Sequence, residues 1–233
     1  MTPSPVRPLV LAGRAAPLGD DGRLSAIDKR PMLSPWRISP MGLGGDTQAD
    51  LKHHGGPEKA LHQYPFEHYA AWADEIGNIP VLQSSGAFGE NLSTTGWTEA
   101  DVCVGDVVRF GSALIQVSQG RQHCWKLNVR FDQHDMSLRV QSSGRAGWYY
   151  RVFEAGVAET GDFLRLIDRP CPNWTLERLT RLLYRDTGDR EGLAGMAALP
   201  ELAQSWRELA RRRMSNGKIE NWTMRLYGEH LPE

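Results

Sequence analysis

Short apolar runs, separated by glycine and proline, fill most of the first two thirds of the chain. The runs at residues 8–12, 107–110, 113–117 and 161–167 have the length of β-strands, and residues 156–161 are typical of a hairpin connection. Many short strands punctuated in this way are typical of a β-barrel or a β-sandwich. The pattern therefore predicts a mainly β first part.

Helical periodicity occurs in two places. Residues 65–77 carry apolar side chains three and four positions apart, which predicts one amphipathic helix inside the β region. Residues 168–172 contain two prolines and form a stiff connection. After them the helical period returns, and it predicts three short helices that begin near Thr175, Asp189 and Pro200.

This change of pattern divides the chain into two predicted domains. A mainly β domain with a barrel-like core and a few helices is expected over residues 1–169. A small three-helix domain with a C-terminal tail is expected over residues 170–233. A chain of 233 residues with 40% hydrophobic positions is long enough to bury a sizeable core.

Charge and targeting signals narrow the functional classes. The formal net charge is −1 and the two signs are interspersed, so no surface for a nucleic-acid polymer is expected. No apolar run reaches the roughly 18 residues that a bilayer requires, and the N-terminal residues lack the pattern of a secretory signal. We therefore expect a cytoplasmic protein that does not act in a membrane.

The densest group of reactive side chains directly follows the predicted strand at 113–117. Arg121, His123 and Lys126 lie within three residues of Cys124. Positive neighbours favour the thiolate, which is both the nucleophilic and the metal-binding form of cysteine. A functional cysteine and a passive one both remain open from these residues alone. The three cysteines are widely spaced and include no Cys-x-x-Cys pair, so neither a disulfide framework nor a zinc knuckle is indicated.

Three glycine-rich segments carry polar residues that invite a functional interpretation. Residues 44–56 contain paired glycines and the histidines His53 and His54. This segment is interpreted either as a solvated loop, which is the simpler interpretation, or as a metal site. Residues 86–92 place a carboxylate and a carboxamide after a glycine. This segment is interpreted either as a turn into a strand, which is the simpler interpretation, or as a polar loop that faces a ligand. Arg145 lies between Gly144 and Gly147, where it could bind an anion.

Six short motifs follow one another along the chain. They are Gly44-Gly-Asp, His54-Gly-Gly-Pro, Phe88-Gly-Glu-Asn-Leu92, Val104-Gly-Asp, Ile115-Gln-Val-Ser-Gln119 and Cys124-x-Lys-Leu127. Together they resemble the MOSC domain, named for the C-terminal domain of molybdenum cofactor sulfurase, and within it the bacterial YiiM family. The three predicted helices resemble the 3-alpha domain of that family. Each motif alone is weak, but six in order, within a resemblance over roughly residues 8–228, are specific.

The resemblance implies a β-barrel core and a molybdenum cofactor of the molybdopterin type, with the metal ligated by Cys124. It also implies the reduction of N-hydroxylated compounds, such as hydroxylaminopurine-type bases, to amines. The candidate cofactor-binding residues on the matching motifs are Gly45, Asp46, His54, Gly55, Gly56, Gly89, Glu90, Asn91 and Gln119. Further candidates for its anionic group are Ser25, Lys29, Arg121, Lys126 and Arg145.

One position departs from the resemblance. Members of the family usually have proline before the cysteine, where this chain has His123. Proline would stiffen the loop and remove an amide donor, whereas histidine can titrate near neutral pH and donate a proton. His54 and His123 are therefore the candidate proton donors.

The chain lacks two signatures of electron supply. It has no G-x-G-x-x-G fingerprint after a strand and no iron–sulfur cysteine set. Electrons are therefore expected from a separate reductase, for which a flavoprotein is the expected class, and a small N-hydroxylated compound is the expected substrate. The oligomeric state is left open.

Three other functions compete with this one. The first is a cofactor carrier or sulfur-handling module without reductase activity. The second is a metal-independent enzyme that pairs Cys124 with His54 or His123. The third is a zinc site built from His53, His54, His123 and Cys124. It ranks last, because no familiar zinc spacing supports it.

Overall fold

A computed structural model describes residues 3–19, 22–49 and 55–228 of the chain. The strands in these residues are β1 (Leu9–Ala12), β2 (Ala16–Leu18), β3 (Arg23–Ser25), β4 (Arg30–Pro31), β5 (Trp36–Ser39), β6 (Gly42–Leu43), β7 (Leu61–Pro65), β8 (Leu92–Thr94), β9 (Val107–Phe110), β10 (Ala113–Gly120), β11 (Trp148–Glu154), β12 (Gly156–Ala158) and β13 (Leu164–Asp168). The α-helices are α1 (Glu67–Ile76), α2 (Lys126–Phe131), α3 (Met136–Ser143), α4 (Leu176–Tyr184), α5 (Arg190–Ala198), α6 (Gln204–Asn216) and α7 (Thr223–Tyr227).

Eight of these strands form one large, curled, mixed sheet. Their order is β13-β9-β10-β11-β7-β8-β1-β4, and the pair β7–β8 is parallel. The curled sheet forms a half-barrel, which confirms the predicted mainly β core. β5, β6 and β12 form a second sheet, and β2 and β3 form a hairpin.

β10 lies inside the large sheet and leads to the candidate cysteine. It pairs with β9 over its first half and with β11 along its length, and the register shifts between Val117 and Gln119. All its residues from Ile115 onward are buried, because the strand is covered on both faces. The strand ends at Gly120, four residues before Cys124, so the cysteine lies just beyond the end of the sheet.

The predicted hairpin connection at 156–161 is wrong. Gly156–Ala158 instead forms β12, which pairs with β5 in the second sheet. The side-chain hydroxyl of Ser112 accepts a hydrogen bond from the Val157 amide at 2.8 Å, and the Val157 carbonyl accepts the Ser112 amide at 2.9 Å. These long-range bonds decide the local conformation, and no short-range pattern reveals them.

The helices after the proline-rich connection begin largely where the sequence predicts. Thr175 accepts a hydrogen bond from the Arg178 amide at 3.1 Å and caps α4, and Asp189 accepts one from the Gly192 amide at 2.9 Å and caps α5. α6 begins at Gln204, four residues later than predicted. The short helix α7 is an element that the sequence analysis did not predict.

These helices share their core with the sheet. Leu176, Leu179 and Trp206 belong to the same buried cluster as Ile115 and Val117 of β10. Burying a leucine side chain of this kind stabilises the fold by roughly 1.5–3 kcal/mol. The helices therefore pack directly on the strand that leads to Cys124.

A second buried cluster lies under α1, α2 and α3. Tyr64, Trp72, Phe88 and Phe131 form its aromatic centre, with the rings of Tyr64 and Phe88 stacked at 4.1 Å between centroids. None of the helices in the described residues has the length and apolar character needed to cross a bilayer.

Candidate functional site

A cavity of about 650 Å³, including its open mouth, lies beyond the end of β10. The structure brings eight of the predicted site residues together in its walls. They are Ser25, Lys29, Asp46, Gly89, Asn91, Arg121, Cys124 and Lys126. These residues come from positions 25 to 126 of the chain, so the fold gathers them from four separate segments.

Cys124 is partly exposed in the cavity wall, in the loop between β10 and α2. Its carbonyl accepts the Leu127 amide at 3.0 Å and so begins the first turn of α2. Burial raises the pKa of the Cys124 thiol, and the Lys126 amide and the Arg121 charge oppose this only in part. The neighbouring cations favour the thiolate as expected, but burial opposes them and has the larger effect. Metal ligation by this thiol would release a proton.

Lys29 and Asp46 form a buried ion pair at one side of the cavity. The Lys29 ammonium donates to Asp46 Oδ2, which also accepts the Asn91 side-chain amide at 2.8 Å. Asp46 Oδ1 accepts the Gly13 amide at 2.8 Å. Burial lowers the pKa of Lys29, and the Asp46 charge acts in the opposite direction. Asp46 thus fixes Lys29 and Asn91 together at the cavity wall.

Arg121 and His62 form the inner wall. The Arg121 guanidinium donates to the Phe88 carbonyl and lies 3.3 Å from Nδ1 of the His62 ring. Burial, and then the positive charge of Arg121, hold the pKa of His62 well below its ordinary value. The His62 imidazole is therefore neutral. Tyr149 also lines the cavity, with its ring centroid 5.2 Å from that of His62.

Among the described lining residues, cationic side chains outnumber carboxylates at this cavity. Four cationic side chains line it, and among the described lining residues only Asp46 carries a carboxylate. The cations are Lys29, Lys59, Arg121 and Lys126. Beside the Lys29–Asp46 pair, Arg121 and Lys126 bring further positive charge to the described walls, and this favours an anionic ligand.

The sequence analysis did not identify His62, Lys59 and Tyr149 as site residues. His62 lies in the buried strand β7, and Tyr149 lies in an aromatic run that is more typical of core. Only their position in the sequence could have indicated a role in the site, since Lys59 and His62 closely follow the Gly55-Gly-Pro segment.

His123 is not a cavity residue, and its predicted role as a proton donor near neutral pH is wrong. Its side chain is only 2% exposed, and Nε2 has no hydrogen-bond partner within the described residues. Burial, and then the charge of Arg121, hold the pKa of His123 well below its ordinary value. The imidazole remains neutral in the protein interior.

Arg145 and Glu90 also lie outside the cavity walls. The Arg145 guanidinium donates to Glu75 at 2.5 Å and lies 3.7 Å over the Trp72 ring, so the structure gives it other partners than a ligand at Cys124. The Glu90 carboxylate accepts the Tyr69 hydroxyl at 2.6 Å and the Gly86 amide at 2.7 Å. Glu90 thus closes the 86–92 loop, while Gly89 and Asn91 of the same loop line the cavity.

The remaining predicted residues surround the walls or lie outside the described part. Gln119 is buried in β10. The Gly56 amide donates to Gln48 Oε1 at 2.9 Å, and a Cβ at Gly55 would lie 2.3 Å from that oxygen. The glycines therefore allow Gln48, itself a wall residue, to pack closely. Gly45 is near the same segment, with a φ of 89°.

The predicted histidine pair His53 and His54 lies outside the described residues. Within the described residues, no group of three or more histidine, cysteine, aspartate and glutamate side chains is arranged to hold a metal ion. Of the four residues of the predicted zinc site, only His123 and Cys124 are described, and they belong to no such group.

Comparison with known proteins identifies the family. The model for the MOSC domain matches residues 50–165, and the model for the YiiM-like, 3-alpha helix domain matches residues 174–217. Protein YiiM of Escherichia coli (strain K12) is 39% identical over 209 residues, which cover 90% of this chain and 93% of that protein. The chain belongs to the YiiM family of MOSC-domain proteins.

A solved structure and one further relative extend this result. The crystal structure of YiiM from Escherichia coli superimposes with a TM-score of 0.83 at 33% identity, covering 97% of this chain and all of that one (100%). A protein of Gibberella moniliformis (strain M3125 / FGSC 7600) named reductase is 37% identical over 216 residues. The match covers 91% of this chain but only 38% of that protein, so the relative contains other regions as well.

Proposed function

We propose that this member of the YiiM family is a molybdenum-cofactor-dependent reductase that converts N-hydroxylated compounds, such as hydroxylaminopurine-type bases, to amines. The observation that carries the proposal is the position of Cys124 in the wall of a cavity with an excess of positive charge. The relative named reductase supports an oxidoreductase activity.

The residues at the cavity fit a group that is anionic and is attached through sulfur. Cys124 offers one soft ligand of the kind that such a metal prefers. Lys29, Arg121 and Lys126 would hold the anionic part of the cofactor, and Ser25 would add a hydroxyl donor. When bound, the cofactor supplies the two-electron chemistry.

The protein's own part in the reaction is orientation and proton supply. Conversion of an N–OH group to an amine and water consumes two electrons and two protons. His62 and Tyr149 line the cavity, and burial keeps the Tyr149 phenol protonated by raising its pKa. Tyr149 therefore replaces His123 as the candidate donor. The neutral His62 imidazole can only hydrogen-bond and orient groups at the cavity wall. His54 stays a prediction outside the described residues. A donor must first reach the leaving oxygen, and its position in the cavity wall is the reason to prefer Tyr149.

The proposed electron source is a separate reductase, with a flavoprotein as the expected class. The proposed compartment is the cytoplasm, and neither a nucleic-acid polymer nor a membrane is an expected partner. Incubation of the purified protein with NADH and an N-hydroxylated base should give no amine until a reductase is added. Turnover without a reductase would contradict this part of the proposal.

Metal content tests the proposal most directly. Molybdenum would be measured by elemental mass spectrometry in wild type, Cys124→Ala and Cys171→Ala, all purified from a cofactor-producing host. Cys171 is a matched control, because it is buried and its thiol faces Glu201 at 3.3 Å instead of the cavity. We expect near-stoichiometric molybdenum in wild type and in the control, and little in Cys124→Ala.

The other outcomes select among the alternatives. Bound molybdenum without reduction of any N-hydroxylated compound, even with an active reductase present, would favour the carrier or sulfur-handling function. Absence of molybdenum and zinc from all three proteins, with cofactor supply verified, would favour metal-independent thiol chemistry at Cys124.

A further inference from the structure

The short helix α7 packs against the loop that carries Cys124. The Arg225 guanidinium donates to the His123 carbonyl at 2.5 Å, and the Arg225 carbonyl accepts the Trp125 amide at 2.8 Å. His123 and Trp125 are the two neighbours of Cys124 in the chain. One residue of α7 therefore restrains the backbone on both sides of the candidate metal ligand.

Other contacts hold α7 itself in place. The Leu226 carbonyl accepts the Asn128 side-chain amide at 2.8 Å and the Ser137 hydroxyl at 2.6 Å, and the Leu226 side chain is buried. The Arg225 guanidinium also donates to Gln141 on α3. A helix of five residues is not stable alone, so these tertiary contacts maintain it.

The end of α7 adds a close contact with the same loop. Gly228 has a φ of 67°, and a Cβ there would lie 3.0 Å from the Trp125 ring. The Arg23 guanidinium also lies over the Trp125 ring, with its carbon 5.0 Å from the ring centroid. The residue after Cys124 is thus fixed through both its backbone and its side chain.

We propose that Arg225 is a positioning residue that bridges the two sides of Cys124 and holds its thiol toward the cavity. Helix α7 is then a functional part of the site, although it lies in the C-terminal tail. The functional consequence rests on the proposed role of Cys124, but the restraint on the loop can be measured without any cofactor.

Hydrogen exchange of the full-length, cofactor-free protein tests the restraint. Peptides that cover residues 121–127 would be compared by mass spectrometry between wild type and Arg225→Met. Loss of two charge-assisted hydrogen bonds should accelerate exchange in this segment by about tenfold or more. The matched control is Arg145→Met, which removes a partly buried guanidinium whose described partners, Glu75 and Trp72, lie outside the loop.

Two further variants separate the loss of the Arg225 contacts with the Cys124 loop from a loss of charge and from a failure to fold. Arg225→Lys keeps the charge but cannot reproduce the planar arrangement of donors, so exchange should remain faster than in wild type. Ser137→Ala removes one hydrogen bond to α7 without changing Arg225 or the loop, and should accelerate exchange about threefold even if Arg225→Met does not fold. Full protection in Arg225→Lys, or equal exchange in Arg145→Met and Arg225→Met, would overturn the proposal.

Molybdenum content connects the restraint to function. We expect metal occupancy in Arg225→Met to fall several-fold below wild type, although Cys124 is unchanged, and to stay near wild type in Arg145→Met. Equal occupancy in wild type and Arg225→Met would overturn the functional role. If wild type itself binds no molybdenum, the proposed function fails, and the exchange measurement still decides whether Arg225 positions the loop.

Discussion

Two charged depressions in the described part of the chain invite comparison, and the larger of these two is the less convincing site. A groove of about 1390 Å³ lies between α3, α4 and residues 98–100, against about 650 Å³ for the cavity at Cys124. Four arginines and four carboxylates line the groove, so its formal charges balance. The cavity instead has four cations and one carboxylate among its described lining residues.

The groove charges serve the fold. Arg181 pairs with Asp186 at 2.6 Å, and Asp189 caps α5. Glu99 accepts the Ala146 and Gly147 amides at 2.8 and 2.6 Å. The comparison teaches that volume and charge density do not mark a ligand site in this protein. An imbalance of charge beside a reactive group marks it better.

The largest expected effect comes from removing a cavity cation that is also structural. Lys29→Met leaves Asp46 buried without its ion-pair partner and should lower the free energy of unfolding by about 3 kcal/mol. Urea denaturation measures this. The double variant Lys29→Met/Asp46→Asn should recover much of the stability because the unpaired carboxylate is gone. If it recovers the molybdenum content as well, Lys29 serves only the fold, and the cavity loses its distinction from the groove.

The next effect compares one histidine from each depression. His62→Gln should lower kcat by about 100-fold, while molybdenum stays bound, because the neutral imidazole that contacts Arg121 and orients groups at the cavity wall is lost. His68→Gln in the groove removes the contact between His68 Nε2 and Glu99 at 2.8 Å and should change kcat by about twofold or less. Similar kcat values for the two variants would remove His62 from the mechanism.

The smallest effect is expected for an exposed groove arginine. Arg181→Met breaks the pair with Asp186, whose side chains are 67% and 46% exposed. Such pairs contribute between about 0 and 1 kcal/mol, so thermal unfolding should change little and molybdenum content should not change. A loss of metal in this variant would show that the groove contributes to the site.

Local sequence signals predicted the elements that local interactions form. The caps at Thr175 and Asp189 depend on amides three residues away, and the structure shows both. α7 was missed because five residues carry no helical period, and its stability comes from α2 and α3.

Site residues were harder to predict where burial or a distant partner decides their state. The sequence placed His123 beside Cys124, but its burial, which makes it neutral, depends on the whole fold. Arg145 was a reasonable anion partner until the fold brought Glu75, 70 residues away, against it. His62 lies in the site because β7 pairs with β8 and β11. No short motif reveals these pairings.

The contact between Arg225 and the cysteine loop also has a consequence for synthesis on the ribosome. The two partners are 102 positions apart, so at about 5–20 residues per second the loop is made roughly 5–20 s before the residue that restrains it. During that interval Cys124 belongs to an incomplete site. Chains stalled before α7 should therefore show faster hydrogen exchange in residues 121–127 than released chains, and equal exchange would contradict this order of events. Cofactor loading would then follow translation, and nascent chains could not compete with finished protein for a scarce cofactor.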